Sequence, residues 1–128
     1  MELKTVGYFR EMSHGRSSDP SIYDYIDKGN YDDIDSICGY LDKGVAIIVS
    51  PSIVTDVIDE TKGIAGNSSA YTDGCWVWPG DLSYYVRGYG LKLPEAFIES
   101  IARNNWVNPV QNVDITNMPI VIDGITIQ

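Results

Sequence analysis

The sequence predicts one α+β domain with about four helices and a mainly antiparallel sheet. Three observations lead there. Apolar residues recur at helical spacing in several separate stretches. Two Asp-Gly pairs, at 73–74 and 123–124, sit between short apolar runs, where hairpins turn. Helical and strand-like stretches interleave, but the strands look joined by hairpins rather than by the regular crossovers of a doubly wound sheet. The 128 residues, 44% hydrophobic, fit one domain with one core. No repeat, low-complexity tract or long linker divides them, so 1–128 reads as a single unit whose tail, 110–128, forms a peripheral hairpin.

In chain order, Val6 to Phe9 reads as a first strand and Ser13 to Ser18 as a loop. Asp19-Pro20 reads as a helix start, an N-cap followed by proline, with Ile22, Tyr25 and Ile26 inward and Gly29-Asn30 as the stop. Ile34, Ile37, Cys38 and Leu41 fall on one face of a second helix, capped by Asp32 or Asp33 and ended by Gly44. Val45 to Val49 reads as a buried strand, and Ile53 to Ile58 pairs back on it after the turn at 50–52. Ser68 to Trp78 is a hairpin about a two-residue Asp73-Gly74 turn. Pro79-Gly80-Asp81 opens a third helix with Leu82, Tyr85, Val86 and Tyr89 inward and Gly90 at its end. Pro94 opens a fourth, burying Phe97, Ile98 and Ile101. Ile120 to Ile127 forms a last hairpin about Asp123-Gly124.

The net charge is −9, which argues against nucleic acid and anionic membrane as partners and favours a basic one. Met1-Glu2-Leu3-Lys4 begins no signal peptide, and the longest apolar run is too short to span a bilayer, so a cytoplasmic location is expected. Cys38, on a helix, and Cys75, in a strand, lack CxxC spacing and read as reduced thiols, although a disulfide between them stays open.

Catalytic sets are missing. His14 is the one histidine, and no nucleophile stands in a G-x-S-x-G elbow; an enzyme would need His14 to converge with an Asp or with Cys75. One His and two isolated Cys do not make a zinc site. Asp32-Asp33-x-Asp35 lacks the Gly and distal Glu of a calcium loop and reads as helix-start charge. Gly88-Tyr89-Gly90 is a helix end, not a phosphate loop. No metal or cofactor is expected, and no catalytic residue is assigned.

Two stretches carry the binding expectations. Between Asp19 and Asp42 stand seven aspartates against one lysine, a net −6 of the −9, interleaved with Tyr23, Tyr25, Tyr31 and Tyr40. Such a surface suits a basic partner, charge supplying on-rate and tyrosine contact area; solvated helix faces are the plainer alternative. The partner-contact candidates are Asp24, Asp27, Tyr31, Asp32, Asp33 and Asp35. In the second stretch Trp76 and Trp78 share one strand face. They form either a core wall or a ligand platform, and the core is favoured because the next helix folds back over them. Asp73, Trp76, Trp78, Asp81, Tyr84 and Tyr85 are the pocket-or-scaffold candidates, Asp81 as a helix cap.

The run Thr72-Asp73-Gly74, Trp76-Val77-Trp78-Pro79, Asp81-Leu82, Tyr84-Tyr85-Val86, then Leu93-Pro94, Phe97-Ile98 and Trp106, with Gly7-Tyr8-Phe9-Arg10 before it, resembles small bacterial immunity-type proteins of polymorphic-toxin and contact-dependent growth-inhibition loci. The likeness samples the chain up to about Pro109. It implies a non-enzymatic cytoplasmic inhibitor that binds a cognate toxin domain, often a nuclease, with the tryptophan motif as scaffold. The alternative is a small-molecule or peptide-binding module using a pocket of Trp76, Trp78 and Tyr85.

Overall fold

Two apolar layers organise the chain. A computed structural model describes residues 1–115 and 118–126, and within them the fold is α+β. Strands β1 (Glu2–Thr5), β2 (Val45–Ile48), β5 (Ala70–Thr72), β6 (Trp76–Pro79), β7 (Val121–Ile122) and β8 (Ile125–Thr126) make one sheet in the order β2-β5-β6-β1-β7-β8. A separate hairpin joins β3 (Ile53–Thr55) to β4 (Ile64–Asn67). Helices α1 (Ile34–Asp42), α2 (Leu82–Tyr89) and α3 (Glu95–Arg103) supply Ile37, Leu41, Leu82, Val86, Phe97 and Ile101 to the main core, with Trp78 from the sheet. Leu3, Ala70 and Val77 form a smaller cluster with Met1, Ile47, Ile120 and Ile122. Val77 and Trp78 thus lie in different clusters, as side-chain alternation in a strand requires.

The sheet is mixed rather than mainly antiparallel. β1 lies inside it and runs parallel to both β6 and β7, with Lys4 opposite Trp76 and Glu2 opposite Val121. Parallel neighbours need long crossovers, which leave no turn signal in the sequence. The strand expected at Val6 to Phe9 comes earlier, because Gly7 turns the chain away with φ +80°; a Cβ there would sit 2.6 Å from the Leu82 side chain.

Among the described residues three α-helices form, not four. The stretch after Pro20 makes only a 3₁₀ turn at Ile22–Asp24, capped by the Ser21 hydroxyl rather than by Asp19. Its chain bonds elsewhere: Asp27 N donates to Tyr89 O and Gly29 N to Gly90 O, both at 2.8 Å, and Asp27 takes φ 61°. Tertiary bonds outcompete the helical ladder.

β2 is an edge strand, not a buried one, with Ile48 and Val49 exposed. Residues 53–58 do not pair with it, since β5 holds β2 and β4 holds β3. The Asp73-Gly74 hairpin forms, but four residues separate its paired Thr72 and Val77, so its turn is wider than two residues. The last hairpin does turn in two residues, Asp123 and Gly124, both at positive φ. Residues 127 and 128 lie outside the described residues. Asp33 and Asp81 take the N-cap positions of α1 and α2 without a side-chain capping bond, and α1 ends on Lys43 ahead of Gly44. Among the described residues no helix is long and apolar enough to cross a membrane.

Candidate functional site

The tryptophan stretch is built from the inside out. Thr72 Oγ1 donates to Trp76 O at 2.6 Å and accepts Gly74 N at 3.0 Å. Asp73 is buried, and its Oδ1 accepts the amides of Cys75 and Trp76 at 2.9 and 2.8 Å. Its Oδ2 accepts the Tyr40 hydroxyl at 2.6 Å, and that hydroxyl accepts Asn104 Nδ2 at 3.1 Å. Burial, then the bond to Asp73, pushes the Tyr40 phenol well above its ordinary value. One aspartate therefore fastens the β5–β6 loop to α1, and through Tyr40 to the end of α3. Asn108 adds a further tie, donating Nδ2 to both Thr72 O and Lys43 O at 3.1 Å.

The indoles are framework. Trp78 is buried, donates Nε1 to Leu41 O at 3.1 Å and packs on Tyr40 and Phe97. Trp76 is half-buried against the same Phe97, with Lys4 Nζ 5.6 Å from its ring. Tyr85 is buried, and its hydroxyl accepts Val57 N at 3.0 Å. Trp78 borders a polar hollow with Asp42, Asn67, Tyr71 and Ser83, which Trp76 and Tyr85 do not join.

Asp56 escaped the sequence reading. It is buried where a strand was expected. Its Oδ1 accepts the amides of Ile58 and Asp59, and its Oδ2 accepts the hydroxyls of Tyr84 and Tyr89 at 2.7 and 2.5 Å. Burial alone would raise its pKa, but these four bonds outweigh it and hold the carboxyl below the usual range. In return the phenols rise to about 12, Tyr84 mainly through its bond to Asp56 and Tyr89 through burial and then that bond. The signal available in the sequence was an aspartate in the middle of the expected strand 53–58, a residue type depleted in strands.

Asp81 turns off its helix toward His14, whose Nε2 lies 3.1 Å from Asp81 Oδ1. His14 Nδ1 is enclosed without a hydrogen-bond partner, and Tyr8 meets the ring edge-on. His14 thus converges with an aspartate, its Nε2 held by Asp81 and its Nδ1 enclosed. Cys75 is exposed in the loop rather than in a strand, Cys38 is buried, and both are free thiols.

The acidic stretch lies outside this framework. Asp24, Asp27, Asp32, Asp33 and Asp35 are all exposed. Asp35 pairs with Arg87 at 2.6 Å. The other four carboxylates have no hydrogen-bond or ion-pair partner among the described residues. Tyr23 stands 51% exposed beside Asp24. Tyr31 is half-buried, and its hydroxyl exchanges two bonds with the Leu93 backbone, so it anchors the α2–α3 connection from within. No family model matches the chain, and neither the curated proteins nor the solved structures compared with it gave a match.

Proposed function

We propose that this protein is a non-enzymatic inhibitor of the immunity type, which binds and neutralises a cognate basic toxin domain, a nuclease domain being the leading case, in the cytoplasm. The observation that carries this reading is the run of four exposed carboxylates, Asp24, Asp27, Asp32 and Asp33, that no cation among the described residues pairs with, Lys28 within the run donating to the Asp24 carbonyl instead. Four like charges within ten residues repel one another, and a basic partner relieves that repulsion while gaining on-rate from the field. Tyr23, exposed beside them, offers contact area. The resemblance of the tryptophan motif supports the same reading. Thr72, Asp73 and Trp78 of that motif spend their polar groups on bonds within the frame, which favours the acidic face for recognition. The net charge of −9 disfavours nucleic acid and anionic membrane as partners.

The test is capture with the tagged chain at moderate salt, identification of what is retained, and repetition with Asp24, Asp27, Asp32 and Asp33 changed to Lys. The expected result is a basic domain released as salt rises. The fourfold variant should lose it through an association rate lower by about tenfold or more, while its thermal melting stays close to that of the parent. Undiminished retention by the folded variant would overturn the assignment of the face.

A further inference from the structure

Three aspartates of this chain are buried almost completely: Asp73 at 0%, Asp56 and Asp81 at 1% exposure. Their surroundings differ. Asp56 accepts four hydrogen bonds and Asp73 three. Asp81 has one partner, His14 Nε2 on Oδ1, and among the described residues no donor reaches its Oδ2. A carboxylate offers about four acceptor sites, and a buried one is costly unless they are filled. The chain satisfies two of its three buried carboxylates from within and leaves the third short of donors.

The under-satisfied carboxylate lines a cleft of about 330 Å³ between the 11–14 turn and the β3 hairpin. Glu11, Ser13 and Thr55 bring further oxygens to it, Met12, Ile53, Val54 and Val57 bring apolar surface, and His14 lines it with its Nε2 already on Asp81 Oδ1, so that Oδ2 is the oxygen left open. No lysine or arginine lines it. Glu11 spends its own oxygens on Ser21 Oγ and Ile22 N and lies 3.6 Å from Arg10 Nε, so it offers the cleft neither a donor nor a free acceptor. The Asp81 carboxylate disfavours an anion, and an apolar molecule would leave Asp81 Oδ2 unpaired. Among the described residues no group of three His, Cys, Asp or Glu could hold a metal ion, so the match is to an organic cation.

We infer that this cleft binds a cationic nitrogen on an apolar stem, a guanidinium or alkylammonium group whose N–H groups reach Asp81 while its carbons lie against Val54 and Val57. The same chemistry is offered by a free small amine and by an arginine or lysine side chain of a partner protein. The cleft shares no residue with the acidic face, so the inference stands apart from the function proposed above.

The experiment is a titration of the protein with n-butylguanidinium followed by backbone-amide NMR, with n-pentanol as the uncharged counterpart of similar shape. Saturable shifts are expected at residues 12–14, 54–57 and 81–82, and none with pentanol. Asp81→Asn, which keeps an acceptor for His14, should weaken the affinity by at least about tenfold, the scale of a charge-assisted hydrogen bond. Thr55→Trp, at an exposed position, should abolish binding by filling the cleft, and it decides the matter should Asp81→Asn fail to fold. Absence of saturable shifts, binding undiminished in the variants, equal binding of pentanol, or shifts spread over the exposed aspartates would each overturn the inference. A blocked Gly-Arg-Gly peptide separates the sources. Binding as tight as butylguanidinium assigns the cleft to a partner's side chain, and exclusion of the peptide assigns it to a free amine.

Discussion

At the scale of single residues, buried carboxylates do the fastening. Asp56→Ala strips the acceptor from two amides and two hydroxyls, and denaturant titration should show a loss of about 3 kcal/mol. Its acid behaviour has a definite sign. The folded pKa of Asp56 lies below its ordinary value, and so does that of Glu11, where bonds from Ile22 N and the Ser21 hydroxyl outweigh burial. Their contribution is therefore whole above the ordinary carboxylate range, and it is lost as pH falls through that range toward the lowered folded values. Stability measured from pH 6 down to 3 should drop, and Asp56→Asn should flatten the drop. The phenols behave in the opposite sense. Tyr84 and Tyr89 rise from 10.0 to about 12, so the stability they carry is complete below pH 10 and lost between 10 and 12. Alkaline unfolding should coincide there with the growth of tyrosinate absorbance. Tyrosinate appearing near pH 10 in a chain that stays folded would contradict the hydroxyl bonds to Asp56.

At the scale of elements, α1, α2 and α3 were legible because each carries an apolar stripe of helical period, and the 70–79 and 121–126 hairpins because each flanks an Asp-Gly pair. The Asp19-Pro20 helix start misled. A cap and a proline favour a helix locally, but bonds to Tyr89 and Gly90 hold residues 27 and 29 in another path. The central strand was not legible, since its partners lie far along the chain. Of the candidate contact residues, exposure was legible and internal bonding was not. Asp24, Asp27, Asp32 and Asp33 do lie exposed, whereas Tyr31 turned out an internal anchor. The Asp81–His14 contact joins residues that no local pattern links. Gly90 ends α2 in the left-handed region at φ 57°, and Gly90→Ala should cost about 1 kcal/mol in a thermal melt. β2 carries no charge between Lys43 and Asp56 and leaves Ile48 and Val49 exposed on an open edge. Natural edges are usually guarded by charge. Ile48→Lys with Val49→Lys should slow self-association seen by light scattering and leave the melting temperature nearly unchanged; unchanged scattering would show that the edge is not the sticky surface.

At the scale of the whole molecule, charge and framework share one stretch but not one face: Ile22, Ile37, Tyr40 and Leu41 are buried while Asp24, Asp27, Asp32, Asp33, Asp35 and Asp42 are exposed. Two-thirds of the net charge falls in residues 19–42, on surfaces that the core does not need. Self-repulsion there lowers the stability of the free protein, so added salt should raise its melting temperature by a few degrees through screening. A fall would mean that the ion pairs Arg87–Asp35 and Arg16–Asp123 outweigh the repulsion. The place of β1 has a kinetic consequence. Residues 2–5 stay without neighbours until residues 76–79 have folded back and residues 121–122 have arrived on the other side. Closing such large loops is slow, so refolding should take milliseconds to seconds rather than the microseconds of helical bundles. Until β1 is seated, both strands that flank it expose an open edge, and the refolding chain is most prone to aggregate in that interval.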